Sequence, residues 1–174
     1  KQIFIRVLKL LFSKRAIFHA TSLEEEKNII KYLGPNVKTF VIPNYMELPN
    51  KQNRVEVKER YLLYVGRIAP IKALDNLLSG LAHSNSFMLS EYKLILAGSV
   101  EKQFRDYYDD LLLFLQDKKI LKDKVVFLGN VEGVEKFNLY ANAYFSLLVS
   151  HSENFGNVVI ESLSQGTPVI TAKG

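Results

Sequence analysis

A chain of 174 residues, 48% hydrophobic and 24% charged, carries enough apolar material for one domain with a sizeable core, or one domain and part of another. It has no cysteine, which excludes a disulfide framework and a thiolate metal site, and no apolar run long enough to span a bilayer. The net charge of +5 suits an anionic partner, but the basic residues are scattered and no aromatic-rich basic patch is present, so nucleic acid is not the expected one.

Residues 1–14 predict a helix with an apolar side of Phe4, Val7, Leu8 and Leu11 and a polar stripe of Gln2, Arg6, Lys9 and Ser13. Such a segment can lie on an anionic membrane or pack against a neighbouring domain, and packing is the favoured reading. Residues 16–20 read as a strand. Thr21-Ser22 then opens a helix, with Ser22 and Glu25 spaced as a capping box and Glu24 to Glu26 at its positive end. Ile29, Ile30 and Leu33 are its expected buried stripe, and Gly34-Pro35 ends it. Residues 38–42 form another strand, closed by Pro43-Asn44, and the polar stretch 45–59 reads as a linker.

Regular alternation follows. Strands are expected at 61–65, 93–97, 125–128, 143–149 and 169–171. Helices are expected around Leu74–Leu81, at 103–118, at 134–142 and after Gly156. In the last helix Val158, Val159 and Leu163 are expected on one face and Glu161 and Gln165 on another. Strands alternating with helices predict an α/β, Rossmann-like, doubly wound parallel sheet. Right-handed crossovers then bring Gly66-Arg67, Gly98-Ser99, Gly129-Asn130 and the loop 150–156 to one crevice. Arg67 offers a fork of donors and Lys72 a point charge, a pair that suits a diphosphate. Gly156 at a helix N-terminus lets backbone N–H groups approach a phosphate. Glu153 and Glu161 are natural acceptors for sugar hydroxyls.

The stretch Glu153, Phe155-Gly156, Glu161 and Gly166-Thr167-Pro168-Val169 resembles the signature of the retaining GT-B glycosyltransferases, in particular family 4, the group 1 glycosyltransferases. Two glutamates alone are a weak signal. Their Phe-Gly and Gly-x-Pro-Val context in register makes it specific. Gly66-Arg67 with Lys72 resembles the family's Gly-Arg…Lys element, Leu96-Ala97-Gly98 its apolar-x-Gly strand end, and Phe127-Leu128-Gly129-Asn130-Val131 its Phe-x-Gly turn. Residues 39–44, and His19 to Ser22 with Glu25, resemble the end of its N-terminal domain. The chain departs from the pattern at Ala73, where glycine is usual, and at Tyr45, where glycine usually follows the asparagine.

The resemblance implies half of a GT-B fold: 1–50 as a remnant of the N-terminal acceptor domain and junction, 51–60 as linker, and 61–174 as a donor-binding domain truncated at its C-terminus. Opening on Lys1 and stopping at Lys173-Gly174 fit an excised piece that is inactive alone. The implied reaction moves a sugar from a nucleotide diphosphate to an acceptor hydroxyl with retention. The implied catalytic residues are Arg67, Lys72 and Glu153. The implied donor-binding residues are Gly66, Gly129, Asn130, Val131, Phe155, Gly156, Asn157 and Glu161. No cofactor or metal is implied. The partners are a nucleotide-sugar donor, a saccharide or lipid-linked acceptor, and peripherally an anionic membrane. The implied setting is cytoplasmic polysaccharide or glycolipid biosynthesis. None of His19, His83 and His151 matches the family's reaction-centre histidine, and His151 reads as a bystander beside the signature loop.

Other chemistries find less support. No Gly-x-Gly-x-x-Gly follows the first regular strand, and no P-loop or Ser-His-Asp pattern is present. Asp106, Asp109 and Asp110 read as a solvated helix face rather than metal ligands. The alternative function is a non-catalytic nucleotide-sugar-binding or scaffold protein of the same fold, which would be marked by loss of Arg67, Lys72 or Glu153.

Overall fold

The computed structural model describes residues 2–12, 15–55, 60–153 and 155–172. It divides into two compact units between Glu47 and Leu48. The first holds α1 (Gln2–Phe12), β1 (Ile17–Ala20), α2 (Leu23–Leu33) and β2 (Lys38–Val41), with β1 and β2 paired in parallel. Ser22 caps α2 by accepting from the Glu25 N–H at 3.1 Å. The Glu25 carboxylate reaches back one residue further than a reciprocal capping box, taking both the N–H and the hydroxyl of Thr21 at 2.7 Å. Of the expected α2 stripe only Leu33 is buried, and Ile30 is exposed. A pair of strands with two helices has too little facing surface to cover three apolar positions. Phe4, Val7 and Leu11 of α1 are likewise exposed.

The second unit runs β3 (Tyr61–Val65), α3 (Leu74–His83), α4 (Asn85–Leu89), β4 (Lys93–Ala97), α5 (Arg105–Gln116), α6 (Lys119–Lys122), β5 (Val125–Gly129), α7 (Gly133–Asn142), β6 (Phe145–Leu148), α8 (Asn157–Ser164) and β7 (Val169–Thr171). Short 3-10 turns at Pro70–Lys72 and Lys102–Phe104 precede α3 and α5. Every strand pair is parallel, in the order β5-β4-β3-β6-β7. The chain winds outward from β3 through β4 to β5, then returns to β6 on the other side of β3. The reversal between β3 and β6 opens a crevice at the strands' carboxyl ends.

Period-two alternation explains why both faces are covered. Tyr64 of β3 joins Leu94 and Leu96 of β4 under α3 and α5, in a core with Leu74, Leu78, Leu111 and Leu115. Tyr61 and Leu63 face the other way, with Ala97, Phe137 and Tyr140. Part of the expected linker is anchored rather than free. The Gln52 N–H donates to the Gln165 side chain at 2.8 Å, and Arg54 donates to the carbonyls of Ala141 and Ala143 at 2.8 and 3.1 Å.

The strand ends close on one another without side chains between them. The Gly66 N–H donates to Ala97 O at 2.9 Å, and a Cβ at position 98 would sit 1.8 Å from the Gly66 carbonyl oxygen. No rotamer relieves a clash with backbone. Gly98→Ala is therefore expected to cost about 3 kcal/mol or more, read as a lower urea midpoint. An unchanged midpoint would show that the two strand ends can part freely.

Candidate functional site

The crevice begins where β3 ends. Ile68 donates its N–H to Ser99 O at 2.9 Å, and the buried Tyr64 hydroxyl donates to Arg67 O at 2.9 Å. Burial pushes the Tyr64 phenol far up, so it stays a donor. Arg67 thus projects from a backbone ledge pinned on both sides. Its Nη1 lies 2.6 Å from Glu101 Oε1, and Glu101 Oε2 accepts from Gln103 at 2.8 Å. The Arg67 hydrogen bond, followed by that of Gln103, holds the Glu101 carboxyl below its ordinary range.

Beyond Arg67, Ala73 closes the 3-10 turn in the left-handed region (φ 53°), with its N–H on Pro70 O at 3.0 Å. The tight turn expected of glycine therefore forms with alanine, against a steric cost of about 1–2 kcal/mol. Lys72 Nζ then meets Glu153 Oε2 at 2.6 Å. The His151 N–H donates to Ile71 O at 2.9 Å. Two segments some eighty residues apart are thereby tied together by backbone and by charge. Arg67 also feels the Glu153 carboxylate, which adds to the Glu101 contact in raising its affinity for a proton.

Gly156 caps α8 at φ 67°, a conformation that favours glycine. It offers no side-chain acceptor to the first-turn N–H groups. Further along α8, Glu161 is held at both oxygens: Oε1 lies 2.7 Å from Lys136 Nζ, and Oε2 accepts from the Tyr140 hydroxyl at 3.0 Å. The expected division of α8 fails in part. Val158 and Val159 are half-buried, but Leu163 is 57% exposed, Glu161 is mostly buried, and Gln165, just past the helix, is buried. Each buried polar group has its partner, Gln165 taking the Gln52 N–H. Periodicity alone ranks such groups as solvent-facing.

Gly66, Arg67, Asn130, Val131, Asn157 and Glu161 line one cleft of about 240 Å³, together with Gly98, Ser99, Val158 and Lys136. Lys72 and Glu153 meet each other outside that lining. Gly129 gives its carbonyl to the Gly98 N–H at 2.7 Å, while Phe155 and Gly156 lie in the loop that leads to α8. Sequence reasoning missed Lys136, Tyr140 and Glu101. Lys136 and Tyr140 are four residues apart on α7, a spacing that puts both on one helix face and was available as a signal. A larger hollow of about 430 Å³ is walled, among the described residues, by Leu77, Leu81, Val149 and His151 with Asn76 and Ser150.

Residues 45–174 match the family described as glycosyl transferases group 1. The chain belongs to this family. It is 33% identical over 151 residues to an uncharacterised glycosyltransferase of Methanocaldococcus jannaschii, covering 85% of this chain and 37% of the relative. It is 32% identical over 114 residues to the D-inositol 3-phosphate glycosyltransferase of Mycolicibacterium smegmatis, covering 66% and 25%. Among solved structures, HepE of Anabaena in complex with UDP and glucose superposes with a TM-score of 0.78 at 23% identity, over 100% of this chain and 49% of that one. Sucrose-phosphate synthase of Thermosynechococcus elongatus gives 0.72 at 24% identity, over 98% and 44%. The matches thus span well under half of these curated relatives and about half of these structures. Its five-stranded parallel sheet is the Rossmann-like half of a GT-B glycosyltransferase fold.

In this group 1 chain the threonine of the Gly-Thr-Pro half of the signature works in the interior, while Gly166 and Pro168 are exposed. Ser162 Oγ donates to Thr167 O at 2.8 Å, and Thr167 Oγ1 donates to Tyr140 O at 2.5 Å, all three residues being buried. Thr167→Val keeps the shape and removes the hydroxyl. It is expected to cost about 1–3 kcal/mol, measured by chemical denaturation. A neutral substitution would mean that this hydroxyl does not tie α7 to the α8–β7 turn.

Proposed function

We propose that residues 61–174 form the nucleotide-sugar binding part of a retaining, family 4 glycosyltransferase. Residues 1–50 would belong to its acceptor-binding half and junction, and residues 51–60 to the connection between the halves. The observation that carries this reading is the set of charges gathered at the strands' carboxyl ends. Arg67 and Glu161 line one cleft, and Lys72 contacts Glu153, whose charge Arg67 also feels. A nucleotide sugar calls for the same groups: an acceptor for ribose hydroxyls, cations for the diphosphate, and an acceptor for sugar hydroxyls next to the β-phosphate. An ammonium touching a carboxylate suits that last junction, where phosphate and hydroxyl oxygens lie close together.

In this reading Arg67 and Lys72 stabilise the departing diphosphate, helped by the N–H groups at the start of α8. Glu153 receives the transferred sugar and Glu161 the ribose, while Asn130 and Val131 border the base. The Arg67–Glu101 pair is well exposed, so an incoming diphosphate can displace Glu101 at small cost. UDP, UDP-glucose and D-inositol 3-phosphate occur among the ligands and substrates named for relatives. They support a nucleotide-sugar donor and a hydroxyl acceptor here. Polysaccharide or glycolipid assembly at the cytoplasmic membrane face is the proposed setting.

Calorimetry with a panel of nucleoside diphosphates is expected to show binding that survives a chelator, because the cations above supply the neutralising charge. Binding abolished by chelation would place a metal ion in the site and overturn this division of labour.

The two glutamates are expected to separate. Glu161→Ala weakens nucleoside diphosphate and nucleotide sugar alike, by roughly tenfold or more. Glu153→Ala weakens the nucleotide sugar and leaves the diphosphate nearly unchanged. Equal proportional losses for both ligands in both variants would refute separate ribose and sugar sites.

A further inference from the structure

Glu161 does not stand alone in the cleft. Lys136 Nζ takes one oxygen at 2.7 Å and the Tyr140 hydroxyl takes the other at 3.0 Å. Both donors are fixed from behind. Tyr140 is fully buried, and its carbonyl accepts from the Thr167 hydroxyl and the Ala143 N–H. Its hydroxyl therefore has no water to turn to, and burial together with the Glu161 charge keeps it protonated. The Lys136 ammonium also rests 5.0 Å from the centre of the Phe137 ring, and Lys136 itself lines the cleft.

A carboxylate oxygen accepts two hydrogen bonds. With one site on each oxygen filled from α7, one site on each remains for the cleft. Two adjacent acceptor sites at a fixed spacing match two hydroxyls on neighbouring carbons.

We propose that Lys136 and Tyr140 are positioning residues that hold Glu161 as a two-point acceptor for a vicinal diol, making the cleft selective for ribonucleotides over nucleotides lacking the diol. This rests on the nucleotide reading given above. It goes beyond that reading in assigning selectivity to two residues of α7 that need not touch the ribose.

The test uses the 174-residue chain with uridine, guanosine and adenosine diphosphates, the analogues lacking both ribose hydroxyls, and inorganic pyrophosphate. The readout is the ratio of affinities, which a general loss of stability does not move. The unaltered chain is expected to prefer the diol-bearing form of the diphosphate it binds by roughly tenfold or more. Lys136→Met is expected to reduce that preference to about threefold or less while pyrophosphate affinity stays within about twofold. Lys136→Arg, which retains the charge and donors, restores most of the preference. Tyr140→Phe lowers the preference in the same direction, with folding checked by circular dichroism.

A full preference retained in Lys136→Met overturns the proposal. So does a parallel loss of all three ligand classes, which would make Lys136 a diphosphate ligand or a structural residue. If the unaltered chain binds none of the nucleoside diphosphates, the nucleotide reading itself falls, and this inference with it. Binding without diol preference in the unaltered chain refutes the inference alone.

Discussion

Tyr140 couples the stability of the second unit to the geometry of its crevice. The side chain is wholly buried, yet each end of the residue carries a polar contact. The hydroxyl serves Glu161, and the carbonyl receives the Thr167 hydroxyl. Between these contacts the ring packs in the apolar layer with Leu63 and Phe137. Tyr140 thus ties α7 to α8 at the cleft and to the α8–β7 turn behind it. In a low-dielectric setting neither contact can be lost cheaply, because the group left behind has no water to replace it. The orientation of Glu161 is consequently tied to the core through Tyr140.

Charge in the crevice is balanced locally but not uniformly. Arg67, Lys72 and Lys136 each face a carboxylate, at 2.6, 2.6 and 2.7 Å. Burial ranks them. The Arg67–Glu101 pair is open to solvent and contributes little, whereas Lys136–Glu161 is largely withdrawn from it. A competing anion therefore meets least resistance at Arg67, more at Lys72, and most at Lys136. The same ranking separates a cation that is free to change partners from one whose task is to keep a carboxylate in place.

Much of the fold was legible because the second unit obeys two simple periods. The strands at 61–65, 93–97 and 169–171 lie where apolar β-prone runs put them, and β3 and β4 feed both faces in alternation. Elements of four or five residues, α4 and α6, show no period and went unseen. The site was legible where a residue has one role. Gly66 and Gly156 mark turns with positive φ, and Arg67 stands in the crevice that the alternation of strands and helices predicts. It was illegible where polarity and burial coincide: Gln165, Thr167 and Lys136 look like surface residues in sequence. Only the hydrogen bonds that satisfy them reveal that they are interior or half-interior. The stretch 51–55 fails for a related reason, since a polar segment anchored through backbone donors and Arg54 has the composition of a linker.

The two halves of the signature divide the work between ligand and core. The first half, up to Glu161, presents groups to the crevice. The second half, Gly166-Thr167-Pro168, spends its polar atoms on Ser162, Tyr140 and β6, with the Ser146 N–H closing on Pro168 O at 2.9 Å. The same logic holds across the sheet. At the ends of β3 and β4, the Gly66 carbonyl lies so close to Gly98 that no side chain fits between them. There the strand ends meet backbone to backbone, and the side chains of the cleft come from the loops after β3 and β5 and from α7 and α8.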